Sequence, residues 1–278
     1  MNILNDILAK SKPVEELTSL DSETFKTNYF NKNRPVLIKG LAMNWVASKK
    51  WSLDFFLSLK EDKEILLLSD NFIQDDNRYK KSSFKNYIQN LKEAEINKKS
   101  FKEYLTTLDI FKFYPHLISD VDFSVFEKHT KTNEVTAWIG PSGTISGFHS
   151  DTANNMYAQI KGKKIFIICS TEFNNNMYPS DKHIYEATAS QVDINNFDAE
   201  KFPKFKDIDF KIVNLEPGDV LYLPQKWWHY VQSLDTSISI SNFGYTKFQS
   251  YTLKLYERIK HSLHKRGYYK VKNCFCCD

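Results

Sequence analysis

Between residues 135 and 243 the sequence breaks into seven short apolar or alternating runs, at 135–139, 155–160, 164–169, 211–215, 220–223, 229–233 and 237–243. Turn formers such as Pro217-Gly218-Asp219 separate them. Runs of this length are too short for helices and suit strands. So many short strands in succession predict a barrel or a sandwich. A hydrophobic fraction of 41%, with 15% aromatic residues, supplies the core, and 278 residues fit one large domain with appendages.

Within that β region, residues 140–169 read GPSGTISGFHSDTANNMYAQIKGKKIFIIC and place His149 and Asp151 two residues apart in a strand-like run. Side chains at i and i+2 of a strand point to one face, so this imidazole and carboxylate can chelate one ion. A second histidine would complete the 2-His-1-carboxylate facial triad that holds non-heme Fe(II) and leaves positions open. His229 is the best candidate, because it starts an extended run just after a Gly-Asp turn and a short apolar strand. His116 and His129 fall in loops, His183 in an irregular stretch at 171–209, and His261 and His264 on a C-terminal helix, so none has the strand context.

The flanking regions read as helices and isolated strands. Residues 2–20 suggest an amphipathic helix interrupted near Pro13, and Asp21-Ser22-Glu23-Thr24 opens a second with capping residues, ended at 33–35. A buried strand at 36–38, a helix over 45–60 with Ser52 as a cap, and an extended run at 64–69 follow. Residues 75–112 are rich in lysine and interleaved with aromatics, a mixture that can bind nucleic acid. Phe84, Tyr87, Ile88 and Leu91 fall at helical spacing, however, and favour an amphipathic helix with the lysines as its solvated face. Leu253, Leu255, Tyr256, Ile259 and Leu263 mark a C-terminal helix over 251–264, whose apolar stripe must bury against the barrel or a second subunit.

A net charge of +4 spread along the chain does not call for nucleic acid. No run of 18 apolar residues exists, and the first residues lack a signal-peptide core, which predicts an intracellular protein without a membrane span; nucleus and cytoplasm are not distinguished. Cys169 reads as a small buried hydrophobe. Cys274, Cys276 and Cys277 read as a frayed tail in preference to a metal or redox cluster.

Taken together, AWIGPSGTIS, HSD, the 155–164 run, MYPSDKH, SQVDINNFDAEKFPKF and GDVLYLPQKWWHYVQSLD cover about residues 34–245 in one order. They resemble the JmjC-type, cupin-fold hydroxylases that depend on Fe(II) and 2-oxoglutarate. The small protein hydroxylases are the nearest, the arginyl-hydroxylase branch first and factor inhibiting HIF second. The resemblance implies a double-stranded β-helix, or jelly-roll, with flanking helices. It divides the chain into N-terminal helices (1–33), a catalytic domain (34–245) and a C-terminal helix and tail (246–278). It implies His149, Asp151 and His229 as iron ligands, with O2 and 2-oxoglutarate as co-substrates. Lys164, Ser146, Asn155 and Tyr104 match residues that hold 2-oxoglutarate, Trp138 and Asn242 fall at substrate positions, and His183 matches a structural histidine.

In the arginyl branch an acidic residue on the strand matching 64–69 pairs the substrate; here that strand reads EILLLS, so the carboxylate is missing or displaced unless Glu64 or Asp70 supplies it. The implied activity is hydroxylation of an arginyl, asparaginyl or lysyl side chain of a protein or peptide. A tRNA hydroxylase using the basic 87–102 region, a lysine demethylase and a non-enzymatic cupin-like binding module are the competing classes. The asparaginyl-type enzymes dimerise through a C-terminal helix, so a homodimer is a further implication.

Overall fold

The computed structural model describes residues 3–68, 79–270 and 274. Eight strands form the barrel: β1 (Thr132–Gly140), β2 (Ile145–Asp151), β3 (Asn154–Lys161), β4 (Lys164–Cys169), β5 (Lys211–Leu215), β6 (Val220–Leu223), β7 (Trp228–Ser233) and β8 (Ser237–Tyr245). One sheet runs β6-β3-β8-β1 and the other β5-β4-β7-β2, all antiparallel. Consecutive strands lie in opposite sheets except β4 and β5, which pair directly, so the connectivity is that of a jelly-roll sandwich. The seven runs read from the sequence are seven of these strands. The eighth, β2, carries the first His and the Asp; its Gly147 and polar residues hide it from a count of apolar runs.

Period-two alternation sorts each strand between two environments. Tyr157, Phe166, Leu221 and Leu223 point into the barrel. Their neighbours Ala158 and Tyr222 face out, under Phe25, Phe56 and Phe84 of the N-terminal part. On the other sheet, outward-facing Phe148 and Tyr230 are covered by Phe205 from the long 171–209 segment and by Phe210 just after it. That segment holds little regular structure beyond Ala187–Ala189, which adds to the edge of β2. Cys169 is fully buried in the same outer layer, as a small hydrophobe.

Flanking elements differ from the sequence expectation at their breaks. The first helix, Ile3–Lys10, ends near Pro13 as expected, but does not resume before residue 20, because Lys12 and Pro13 pair in parallel with β5. Asp21 accepts from the backbone N–H of Glu23 and Thr24 and opens the second helix. The single helix expected over 45–60 is two, Val46–Lys50 and Leu53–Ser58, since the Ser52 hydroxyl accepts from Phe55 N and starts a new helix there. The basic stretch contains the helix Phe84–Asn97, with Phe84, Tyr87, Ile88 and Leu91 all buried. Each contributes roughly 1.5–3 kcal/mol on burial, and none presents a face on which a base could stack. Among the described residues no helix is long and apolar enough to cross a membrane.

The C-terminal helical segment, Lys247–Gln249 through Leu255–Lys265, does not bury its apolar stripe against the barrel, the first of the two options the sequence left open. Glu257 and His264 face the protein and are buried, while Phe248, Tyr251, Leu255, Tyr256 and Ile259 are exposed, Tyr251 to 78%. Its apolar stripe is uncovered in the single chain.

Candidate metal centre and its cavity

Two facing strands set the two histidines. His149 in β2 and His229 in β7 are partners in one antiparallel register pair, with ring centroids 4.0 Å apart. Asp151, two residues on, shares the inward face. A register irregularity between His229 and Val231 bends the ladder beside them. One candidate ligand atom from each of the three lies within 4.8 Å of the others.

Hydrogen bonds fix which nitrogen each ring presents. The Nδ1–H of His149 donates to the Gly147 carbonyl at 2.8 Å, and that of His229 to the Trp227 carbonyl at 3.1 Å. A carbonyl only accepts, so in each neutral ring Nε2 carries the lone pair, the arrangement that outer partners impose on metal-binding histidines. His229 Nε2 then sits 3.5 Å from Asp151 Oδ2. Burial pushes the Asp151 carboxyl above its ordinary value against the pull of His149, and burial, helped by His149, drives the His229 imidazole well below its own. A divalent cation among the three groups reverses both effects, and this donor set with open positions fits Fe(II).

The triad lines a cavity of about 780 Å³, together with Lys164, Ser146, Asn155, Tyr104 and Trp138. Lys164 is 1% exposed and donates from Nζ to the Tyr104 hydroxyl at 3.1 Å. Its ammonium lies 5.5 and 5.7 Å from the ring centroids of Tyr104 and Tyr157. Among the described residues no carboxylate pairs with it, and burial pulls its pKa down to about 7. A buried lysine in this setting is a site for an anionic group. Asn155 adds a buried Oδ1 with no hydrogen-bond partner among the described residues. Tyr104 pairs with Leu68 through an isolated bridge and packs on Gly140, where a Cβ would come within 2.4 Å of its ring, so the glycine makes room for the tyrosine.

Asn242 is the one sequence-predicted site residue that does not line the cavity. On β8 its neighbours Ser241 and Phe243 do. Asn242 therefore points to the opposite face, where Nδ2 donates to Glu127 Oε1 and Oδ1 accepts from Asn133 Nδ2, both at 2.7 Å. Of the two acidic residues considered near 64–70, Glu64 does not line the cavity. Glu64 is exposed and pairs with Lys81 at 3.0 Å, and Asp70 lies outside the described residues.

Sequence reasoning missed Glu186, Tyr185 and Glu134, which line the cavity. Among the described residues Oε1 of Glu186 is buried without a hydrogen-bond partner, and burial together with Glu134 raises its carboxyl above the ordinary range. It reaches the cavity because Ala187 pairs with Asp151 at the edge of β2. No local pattern in the 171–209 segment announces that pairing.

A jelly-roll with a facial-triad pocket is the class that fold and site define. A family model described as a cupin-like domain matches residues 22–250. The chain is 29% identical over 248 residues to lysine-specific demethylase 8 of Xenopus tropicalis and 31% identical over 237 residues to a lysine-specific demethylase of Arabidopsis thaliana. These matches cover 86% and 83% of this chain but 54% of each relative, so the chain spans about half their length. JmjC domain-containing protein A of Dictyostelium discoideum is 30% identical over 244 residues, 82% of this chain and 94% of that protein. The chain belongs to the cupin-like domain family, among the proteins that carry a JmjC domain.

Proposed function

We propose that this protein is an Fe(II)- and 2-oxoglutarate-dependent oxygenase that hydroxylates a cationic side chain, arginyl or lysyl, of a protein substrate. The carrying observation is one cavity with a His-Asp-His cluster in its wall and an ammonium that no described carboxylate neutralises. Bound Fe(II) would supply the open coordination positions at which a 2-oxo acid and O2 react, with succinate and carbon dioxide as co-products.

His149, Asp151 and His229 are the ligands in this reading, their geometry held by the Gly147 and Trp227 carbonyls. Lys164 receives the remote carboxylate of 2-oxoglutarate, with Tyr104 orienting the ammonium and Ser146 and Asn155 offering further polar contacts. At the protein-substrate side, Trp138 offers an aromatic face and Glu186 a buried acceptor to a guanidinium or ammonium. Glu186 takes the part of the acidic residue missing from the 64–69 strand.

Removal of an N-methyl group from lysine is the second reading, favoured by the names of two relatives. It shares every residue named above and begins with hydroxylation of the methyl carbon. The test is anaerobic loading with Fe(II) and 2-oxoglutarate, then oxygen, against arginyl, lysyl and methyl-lysyl peptides. Succinate with a peptide gaining one oxygen supports hydroxylation, and loss of a methyl group supports demethylation. Absence of any 2-oxoglutarate turnover, with or without peptide, removes the proposal.

A further inference from the structure

A second group of potential metal ligands lies outside the cavity, where the C-terminal helix meets the 171–209 segment. His183 Nε2 and His261 Nδ1 are 3.3 Å apart. The rings of His183 and His264 are 4.4 Å apart between centroids. His183 also forms a parallel β-bridge with Cys274, which brings a thiol-bearing residue to the same place. His261 and His264 are three residues apart on Leu255–Lys265 and therefore share a face. That face includes buried His264 and Glu257, and Glu257 Oε1 pairs with Lys260 Nζ at 2.8 Å, so the nearby lysine has its own counter-charge.

We infer that His183, His261, His264 and Cys274 form a structural zinc site that fastens the C-terminal helix to the rim of the cavity.

Three observations carry the assignment. The 3.3 Å separation of the two nitrogens matches the spacing of about 3.3 Å between ligand atoms that a tetrahedral Zn–N distance of ~2.05 Å requires. His264 donates Nδ1–H to the Tyr269 carbonyl at 2.7 Å, which leaves Nε2 as its lone-pair nitrogen, the same fixation found at His149 and His229. Three imidazoles and a thiolate are a donor set suited to Zn(II).

Among the described residues only the His149 cluster has three ligand atoms already within 4.8 Å of one another. Ion binding at the second group therefore draws its ligand atoms closer together, as expected when metal binding and folding are linked. Its position gives it a consequence. Ile184, Tyr185 and Glu186 follow His183 directly and line the cavity, and the rings of Tyr185 and His261 lie 4.9 Å apart.

The test uses the full chain with His149→Ala and Asp151→Ala, which disables the first metal centre. Zinc content after dialysis is measured by mass spectrometry, and Co(II) is titrated as a spectroscopic probe. About one tightly held zinc per chain is expected, with a thiolate-to-cobalt charge-transfer band and the intense visible bands of tetrahedral cobalt. His261→Gln and Cys274→Ser, both at partly exposed positions, should each weaken zinc binding at least about tenfold, and Cys274→Ser should remove the charge-transfer band. Cys276→Ser with Cys277→Ser should leave the band in place. The assignment is overturned if the triad-disabled chain retains no zinc, or if neither His261→Gln nor Cys274→Ser alters affinity and spectrum.

Discussion

The Lys164 ammonium and the Tyr104 hydroxyl are joined by a 3.1 Å hydrogen bond inside the barrel, and no carboxylate among the described residues completes the pair. Desolvation lowers the lysine from 10.5 to about 7. Between those values the unfolded chain holds a proton on this residue that the folded, ligand-free chain lacks. Stability of the ligand-free chain therefore rises with pH from about 7 to about 10.5, and the full penalty of the buried charge is present below about 7.

A dicarboxylate ligand restores the proton. Binding of 2-oxoglutarate above pH 7 should take up a proton and weaken by up to about tenfold per pH unit. Calorimetry in buffers of differing ionisation enthalpy measures the uptake; proton-neutral binding across this range would show that Lys164 is already charged before the ligand arrives.

Lys164→Ala should reduce 2-oxoglutarate affinity by about ten- to a hundredfold, the worth of a charge-assisted hydrogen bond of roughly 1.5–3 kcal/mol. Lys164→Met should do the same while raising the stability of the ligand-free chain, since it removes a buried charge and keeps most of the volume. Thermal unfolding with and without ligand separates the two effects. An unchanged dissociation constant in both variants would return Lys164 to an ordinary strand lysine.

His149→Ala or Asp151→Ala should abolish Fe(II)-dependent 2-oxoglutarate turnover while the fold persists. His149 and Asp151 contribute to the cavity wall, and the apolar layers on either side of the sheets do not include them. Circular dichroism and Mn(II) binding followed by paramagnetic resonance provide the check. Wild-type turnover in His149→Ala would remove it from the ligand set.

Much of this site was legible because its chemistry is carried by strand parity. His149 and Asp151 are two apart, and the turn at 217–219 sets up His229, so alternation alone puts all three side chains inside. The same rule shows why Asn242 fails: it is one residue out of phase with Ser241 and Phe243. Glu186 was invisible because its position depends on the edge pairing of Ala187 with Asp151, a contact between residues 36 apart with no local signature. Ser52 and Pro13 were legible as a cap and an interruption; what the spacing did not show is that Ser52 divides 45–60 into two helices and that Lys12 and Pro13 pair with β5.

Glu186→Gln should lower productive use of arginyl or lysyl peptides, raising KM for the peptide, and leave the uncoupled turnover of 2-oxoglutarate intact. The substitution keeps the shape and removes the charge, so a cationic side chain loses roughly 1.5–3 kcal/mol, about ten- to a hundredfold. An uncharged peptide, if accepted at all, should be indifferent to it. Equal effects on charged and uncharged peptides would mean that Glu186 shapes the rim without reading charge.

The C-terminal helix provides the last prediction. Its buried side carries Glu257 and His264, whereas Phe248, Tyr251, Leu255, Tyr256 and Ile259 are exposed. Phe248, at 77%, and Tyr251, at 78%, are more exposed than isolated surface aromatics need be, and they sit on one continuous helical segment. Contiguous apolar surface of this kind is stabilised by association, and a second copy of the chain presents the same stripe, which satisfies the self-complementarity of a two-fold interface. The expected species in sedimentation is a dimer, and Leu255→Arg should give a folded monomer with an unchanged circular dichroism spectrum. Leu255 is half exposed, so the arginine can be solvated in the monomer but would meet its own copy or apolar neighbours across the interface. A wild-type chain that sediments as a monomer at micromolar concentration would rule the interface out.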